Sequence, residues 1–154
     1  MSEKHKSMNE LISEVNLSGD TLSNANDFAS FLEREGMLAG GEHGSITYND
    51  NILCYMHIDG NNDIPGPWTI WPDGDYSEDT PNLTLNAEEK DIVWANINIC
   101  GNCGAKCAPG KTKSVFGKSF NNVCSAPLQF CDPQGKTLEC LKKILRAKKE
   151  SFIQ

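Results

Sequence analysis

Six of the seven cysteines in this chain of 154 residues fall after residue 99. Four of them sit in one short stretch, ICGNCGAKCAPGKTKSVFGKSFNNVC, Ile99 to Cys124. This clustering constrains the fold more than any other feature. The N-terminus, MSEKHKSMNELISEV, is charged throughout and has no apolar core of the kind a secretory signal needs. No apolar run approaches the ~20 residues of a membrane span. The expected setting is therefore cytoplasmic and reducing, where thiols act as ligands or stay free rather than form disulfides.

Within the cluster, Cys100 and Cys103 form a C-x-x-C pair followed by Gly104. Two thiolates at that spacing can hold one ion from a single tight turn, and the glycine lets the backbone curl towards the sulfurs. Cys107 lies within reach of the same ion. Cys124 stands at the far end of what reads as a polar loop returning the chain. Together Cys100, Cys103, Cys107 and Cys124 describe a closed tetrahedral site for structural Zn2+. The lysines at 106, 111, 113 and 118 offset the charge of four thiolates and favour deprotonated sulfur. Cys131 and Cys140 compete for the fourth place. An iron–sulfur cluster is the nearest rival metal, with C-x2-C-x3-C supplying three ligands.

Two other readings of the stretch compete with a metal. A phosphate loop needs G-x-x-x-x-G-K-[ST]. The first glycine would have to stand at Ala105 or Thr112, so that reading fails. Single-stranded nucleic acid could stack on Phe116 and Phe120 between Lys113 and Lys118. A strongly acidic partner half opposes it.

That acidity is lopsided. Residues 1–99 hold 4 basic and 18 acidic side chains, a net of −14, whereas residues 100–154 hold 10 and 3, a net of +7. Such a split marks either an intermolecular surface or two halves that attract each other, and the second is expected.

Local signals place the elements. Ser7 and Glu10 form a capping-box pattern ahead of a short first helix. A second helix is expected from Asn26 or Asp27, with Phe28, Phe31 and Leu32 on one face and Gly36 as its stop. GSITYND and NILCYMHI read as a β-hairpin turning at Asn49-Asp50-Asn51, WTIW as a third strand, and Thr84-Leu85 as a candidate fourth. Asn86 with Glu89 caps a further helix. Asp132 and Pro133 announce the last helix, with Leu138, Leu141, Ile144 and Leu145 inward and Lys142, Lys143, Arg146, Lys148 and Lys149 on the exposed side and C-terminal end. The order predicts an α+β fold. It consists of a small antiparallel sheet with packed helices and a C-terminal cysteine-rich knuckle plus helix. Its expected parts are an N-terminal helix and connection (1–25), an acidic α+β unit (26–99) and a basic cysteine-rich zinc module (100–154) whose helix packs on the same core.

The C-terminal elements resemble those of a family of small uncharacterised bacterial proteins. The shared features are Cys100 to Gly104, Cys107, the Val115 to Cys124 run (VFGKSFNNVC) and Thr137 to Leu145 (TLECLKKIL). The resemblance covers the tail well and the middle strands loosely. It implies a shared cysteine site and an α+β frame. It includes Cys140 but no cysteine at the position of Cys131, which demotes Cys131 as a ligand.

Catalysis is poorly supplied. The histidines are His5, His43 and His57, and no Ser/His/Asp arrangement is recognisable. Cys54 reads as a small buried apolar side chain, on the opposite strand face from His57. Asp59, Asn61 and Asp63 begin like a calcium loop, but Ile64 and Ile70 stand where it needs glycine and glutamate. Trp68 and Trp71 fall on opposite faces of their strand, one of them expected in the core. The sequence therefore describes a zinc-stabilised binding protein for a small-molecule or protein ligand. The alternatives are a thiol redox or metal-responsive protein using Cys100 and Cys103, and a binder of single-stranded nucleic acid.

Overall fold

The computed structural model describes residues 7–40, 44–58, 67–99 and 110–153. Helix α1 (Met8–Ser13) starts at the expected capping box: the Glu10 N–H donates to Ser7 Oγ at 3.2 Å, and the Ser7 N–H donates to the Glu10 carboxylate at 3.3 Å. It buries Met8 and Ile12. Helix α2 (Gly19–Glu35) begins a full two turns before the expected start at Asn26 or Asp27. No side-chain cap marks that start: Ser18 occupies the cap position without a side-chain bond. Burial of Ala25, Phe28, Phe31 and Leu32 holds the helix instead, as tertiary packing usually does for helices. Gly36 ends it in the left-handed conformation, φ 71°, that a C-terminal cap requires.

Strands β1 (Ser45–Tyr48) and β2 (Asn51–Ile58) form the expected hairpin. Asn49 and Asp50 both take positive φ, 49° and 66°, the handed turn whose twist matches antiparallel strands. Strand β3 (Trp68–Pro72) pairs with β2. No strand forms at Thr84-Leu85; the nearby pairing is a lone Thr80–Leu83 bridge. The sheet is completed by β7 (Phe130–Cys131), giving the order β1-β2-β3-β7. Trp68 is the tryptophan in the core, its ring 5.5 Å from that of Phe28.

Helix α4 (Gly135–Ser151) buries Leu138, Leu141, Ile144 and Leu145 against the same core, as its stripe predicts. Its start differs from the expected one. Gln134 holds the cap position, and Asp132 is occupied elsewhere. The Asp132 carboxylate accepts from the Trp68 indole at 3.2 Å, from Thr21 Oγ1 at 3.1 Å and from Gln134 Nε2 at 3.3 Å. A buried indole N–H needs a partner, and that demand outcompetes the cap.

Helix α3 (Ala87–Trp94) opens on the expected capping box of Asn86 and Glu89, with bonds of 2.8 and 2.9 Å. Strands β4 (Ile97–Ile99), β5 (Lys111–Val115) and β6 (Lys118–Leu128) then form a second sheet in the order β4-β6-β5. The polar loop expected before Cys124 is thus a β-hairpin. Its turn, Phe116-Gly117, has φ values of 45° and 84°. The turn is tied to the body of the protein: the Phe116 and Gly117 N–H groups donate to the Tyr76 and Ser77 carbonyls at 2.9 and 3.0 Å. The Trp94 indole donates to the Val115 carbonyl at 2.8 Å.

The two charged halves meet within the chain. Lys142 pairs with Asp27 at 2.7 Å, Lys143 with Glu89 at 2.9 Å, Lys149 with Glu35 at 3.3 Å, Arg146 with Glu35 at 3.7 Å and Lys148 with Asp73 at 3.9 Å. Lys142, expected on the exposed side, is 5% exposed. It lies over the Phe31 ring at 5.9 Å, so its stem packs on α2 while its ammonium reaches Asp27. The architecture is α+β.

Candidate metal centre

Of the four predicted ligands, Cys100, Cys103 and Cys107 lie outside the described residues. Cys124 lies on β6 and is half-buried. The flanks of the cysteine-bearing segment converge on its neighbour. Ile99, the last residue of β4, pairs with Val123 from one side, and Lys111, the first of β5, pairs with Val123 from the other. Adjacent strands lie ~4.8 Å apart, so the two flanks stand roughly 10 Å from each other. Val123 itself is 1% exposed. Cys124 follows at once.

Strand β6 is irregular on both sides of this point. Against β4, the register passes from Ile97–Leu128 to Ile99–Val123, so β6 carries extra residues between 123 and 128. The Asn98 side chain donates to the Ala126 carbonyl at 2.8 Å within that bulge. Against β5, the register slips between Lys111 and Lys113, where Asn122 takes φ 59°. Asparagine is among the few side chains that accept this conformation readily. Bulges of this kind release a side chain from the ladder and re-aim it, and Cys124 lies within the first, two residues after Asn122 in the second.

Gly110 closes the arrangement. A Cβ at this position would lie 2.7 Å from both the carbonyl carbon and the carbonyl oxygen of Asn122, and closer still to its side-chain oxygen. Only glycine allows the chain to approach β6 this closely. The Lys113 ammonium donates to the Cys124 carbonyl at 3.3 Å and adds positive charge beside the cysteine.

The remaining described thiols face other tasks. Cys140 is buried on α4 and donates to the Glu89 carbonyl at 3.9 Å. Burial first, and the Glu89 carboxylate second, push its thiol up to about 11. Cys54 is fully buried and its thiol is raised further still, by burial and then by Asp73. Cys131 is exposed on β7, where its sulfur accepts from Gln129 Nε2 at 3.0 Å. His57 is exposed on β2, across the pleat from Cys54, and His5 and His43 lie outside the described residues. In the acidic loop 73–79, Asp73 and Asp79 are paired with Lys148 and Lys90. Residues 59–63 lie outside the described set. Among the described residues no three or more His, Cys, Asp or Glu side chains gather to hold a metal.

The aromatic pair read as a stacking platform is otherwise engaged. Phe116 is 4% exposed and packs against Tyr76 with ring centroids 6.2 Å apart. It lies at the closed end of the β5–β6 hairpin, whereas Cys124 lies at the open end. Lys118 covers Phe120 at 5.5 Å and Trp94 at 5.0 Å.

The residues that shape the site most, Gly110, Asn122, Val123 and Asn98, carry no metal-ligating side chain, so ligand spacing does not reveal them. The asparagine pair Asn121-Asn122 ahead of Val123-Cys124, a residue type that accepts the left-handed conformation, is the sequence signal for this bend. No protein-family model, curated protein or solved structure matches the chain. Among the described residues no helix is long and apolar enough to cross a membrane.

Proposed function

We propose that this chain is a zinc-stabilised binding protein in which Cys100, Cys103, Cys107 and Cys124 hold one structural Zn2+. The observation that carries the reading is the double pairing of Val123 with Ile99 and Lys111. It brings both flanks of the C-x-x-C segment beside the fourth cysteine, although Cys124 is distant from Cys100 in sequence. The donor chemistry fits a soft, borderline ion: an all-thiol set, a half-buried Cys124 and a lysine beside it. Cys140 lies on α4 and is bonded to the Glu89 carbonyl, whereas Cys124 follows directly on Val123, which makes Cys124 the better fourth ligand. The resemblance of the tail to the bacterial family implies the same cysteine site.

Zinc would act here on stability. Structural zinc contributes ~10–16 kcal/mol in small peptides, against a whole-domain stability of ~5–15 kcal/mol. The zinc would clamp the flanks of β4 and β5 on β6, leaving recognition to other surfaces. A reducing, cytoplasmic setting suits such a site. The covered Phe120 and buried Phe116 weigh against a nucleic-acid platform.

Elemental analysis with thiol counting before and after chelation tests the reading. It expects about one zinc per chain, with the four cysteines protected until the metal leaves. A metal-free protein whose Cys100 and Cys103 react at once would replace it with the dithiol alternative.

A further inference from the structure

An open groove that shares no lining residue with the cysteine site has no role in the reading above. It measures 930 Å³ and is walled by the start of α1, the end of α2, residues 36–39, and strands β1 and β2. Met8 and Met37, both buried, form its floor. Thioether side chains are soft and adaptable, and floors of this type accommodate varied apolar partners.

Above the floor runs an exposed apolar ridge. Leu38 is 68% exposed and Ile52 is 37% exposed. Leu38 is held in place by two backbone hydrogen bonds with Thr47, of 2.8 and 2.9 Å, and Thr47 pairs in turn with Ile52. Directly paired residues present their side chains on one face of a sheet. Leu38, Thr47 and Ile52 therefore form a stripe across three extended segments, fixed by the backbone and unable to fold inward.

Among the described residues the rim is of one sign. Glu10, Glu33 and Asp50 are all exposed and line the groove, and no lysine, arginine or histidine lines it among the described residues. The cations of α4 that balance acidity elsewhere are engaged with Asp27, Glu35, Asp73 and Glu89. The carboxylates of the rim thus project their charge over the apolar stripe, a field that attracts and orients a cationic partner.

We propose that this groove docks a peptide segment of a partner protein that carries an aliphatic or aromatic anchor flanked by lysine or arginine. The anchor lies against Leu38 and Ile52 over the methionine floor, and the flanking cations face Glu10, Glu33 and Asp50. Apolar anchoring supplies the affinity and the rim supplies orientation and on-rate. The groove shares no residue with the cysteine site, so this inference and the zinc reading stand or fall separately.

The test pans a phage-displayed random dodecapeptide library on the immobilised full chain and titrates the winning synthetic peptide by calorimetry. The expected consensus is one large apolar residue with lysine or arginine beside it. Binding should weaken about tenfold or more in Leu38→Asp and Ile52→Asp, as for an interface anchor. It should weaken in Glu33→Lys and fall with added salt in the native chain. Leu38 and Ile52 are exposed, so their variants should keep the native melting profile, which is checked first. A consensus without basic residues, no consensus at all, or affinity unchanged in Ile52→Asp overturns the proposal. So does sedimentation equilibrium showing a self-associated chain that Leu38→Asp dissociates, for then the groove belongs to a second copy and its exposed Phe152 and Ile153.

Discussion

Lys142 and Asp27 meet at 2.7 Å across 115 positions of sequence, and they do so at the seam between α2 and α4. The lysine side chain is 7% exposed and the aspartate 48%. Glu139 stands 3.5 Å from the same ammonium. Removing the aspartate leaves a buried cation with one weaker partner, whereas removing the lysine charge leaves a carboxylate that water can reach. Asp27→Ala should therefore destabilise the protein by about 1–3 kcal/mol, the usual cost of orphaning a partly buried charge. Lys142→Met, which keeps the apolar stem, should cost less. Urea unfolding of the two variants checks the order; equal losses would show that the ammonium is not stranded when Asp27 is removed.

Gly110 presses on the backbone of Asn122 with no room for a methyl group. Gly110→Ala should force β5 and β6 apart at Val123 and cost about 1–3 kcal/mol, the range for an added carbon in a packed site. Under the zinc reading the variant should also lose its metal to a chelator faster than the native chain. A Gly110→Ala protein as stable and as tightly metallated as the native one would mean that the flank of the cysteine segment is not pinned to β6.

Glu89 gives the fold a pH dependence. The hydrogen bond from the Asn86 N–H, and then the Lys143 ammonium, hold its carboxyl below the usual glutamate range. A carboxylate with a depressed folded pKa stabilises the protein above its unfolded value, ~4.3, and that contribution is lost as pH falls through the lower folded value. Thermal melts between pH 6 and 3 should thus fall less steeply for Glu89→Gln than for the native chain. Identical slopes would assign the acid loss to other carboxylates.

The thiols divide by environment. Alkylation at neutral pH should label exposed Cys131 rapidly and leave Cys54 and Cys140 unmodified until the protein unfolds, because thiolate is the reactive form and burial suppresses it at both sites. Mass spectrometry after timed iodoacetamide treatment reads this directly. Labelling of Cys140 as fast as Cys131 would mean that α4 detaches from α3 in the native state.

Much of the frame is legible in the chain itself. Both capping boxes, the stop at Gly36, the hairpin at Asn49-Asp50 and the buried stripe of α4 are set by neighbours within a few residues, and local chemistry suffices to find them. Three features needed distant partners. The start of α2 has no cap and rests on packing, Asp132 abandons its cap for the Trp68 indole, and Lys142 is drawn inward to Asp27. The β5–β6 hairpin was hidden for another reason: its lysines and asparagines suit edge strands and bulges, which look like loop when read one residue at a time.

The sequence alone determined the α+β order of the elements and the identity of the candidate metal ligands, because helix caps, turn residues and thiol chemistry are properties of short segments. Only the tertiary structure decided that Val123 joins β4 and β5 beside Cys124, that the basic helix pairs with carboxylates of the acidic half, and that Leu38 and Ile52 share one exposed face. Each of these depends on register and on contacts between residues far apart in the chain. Such contacts form only when burial of a common core outweighs the entropy of bringing those residues together.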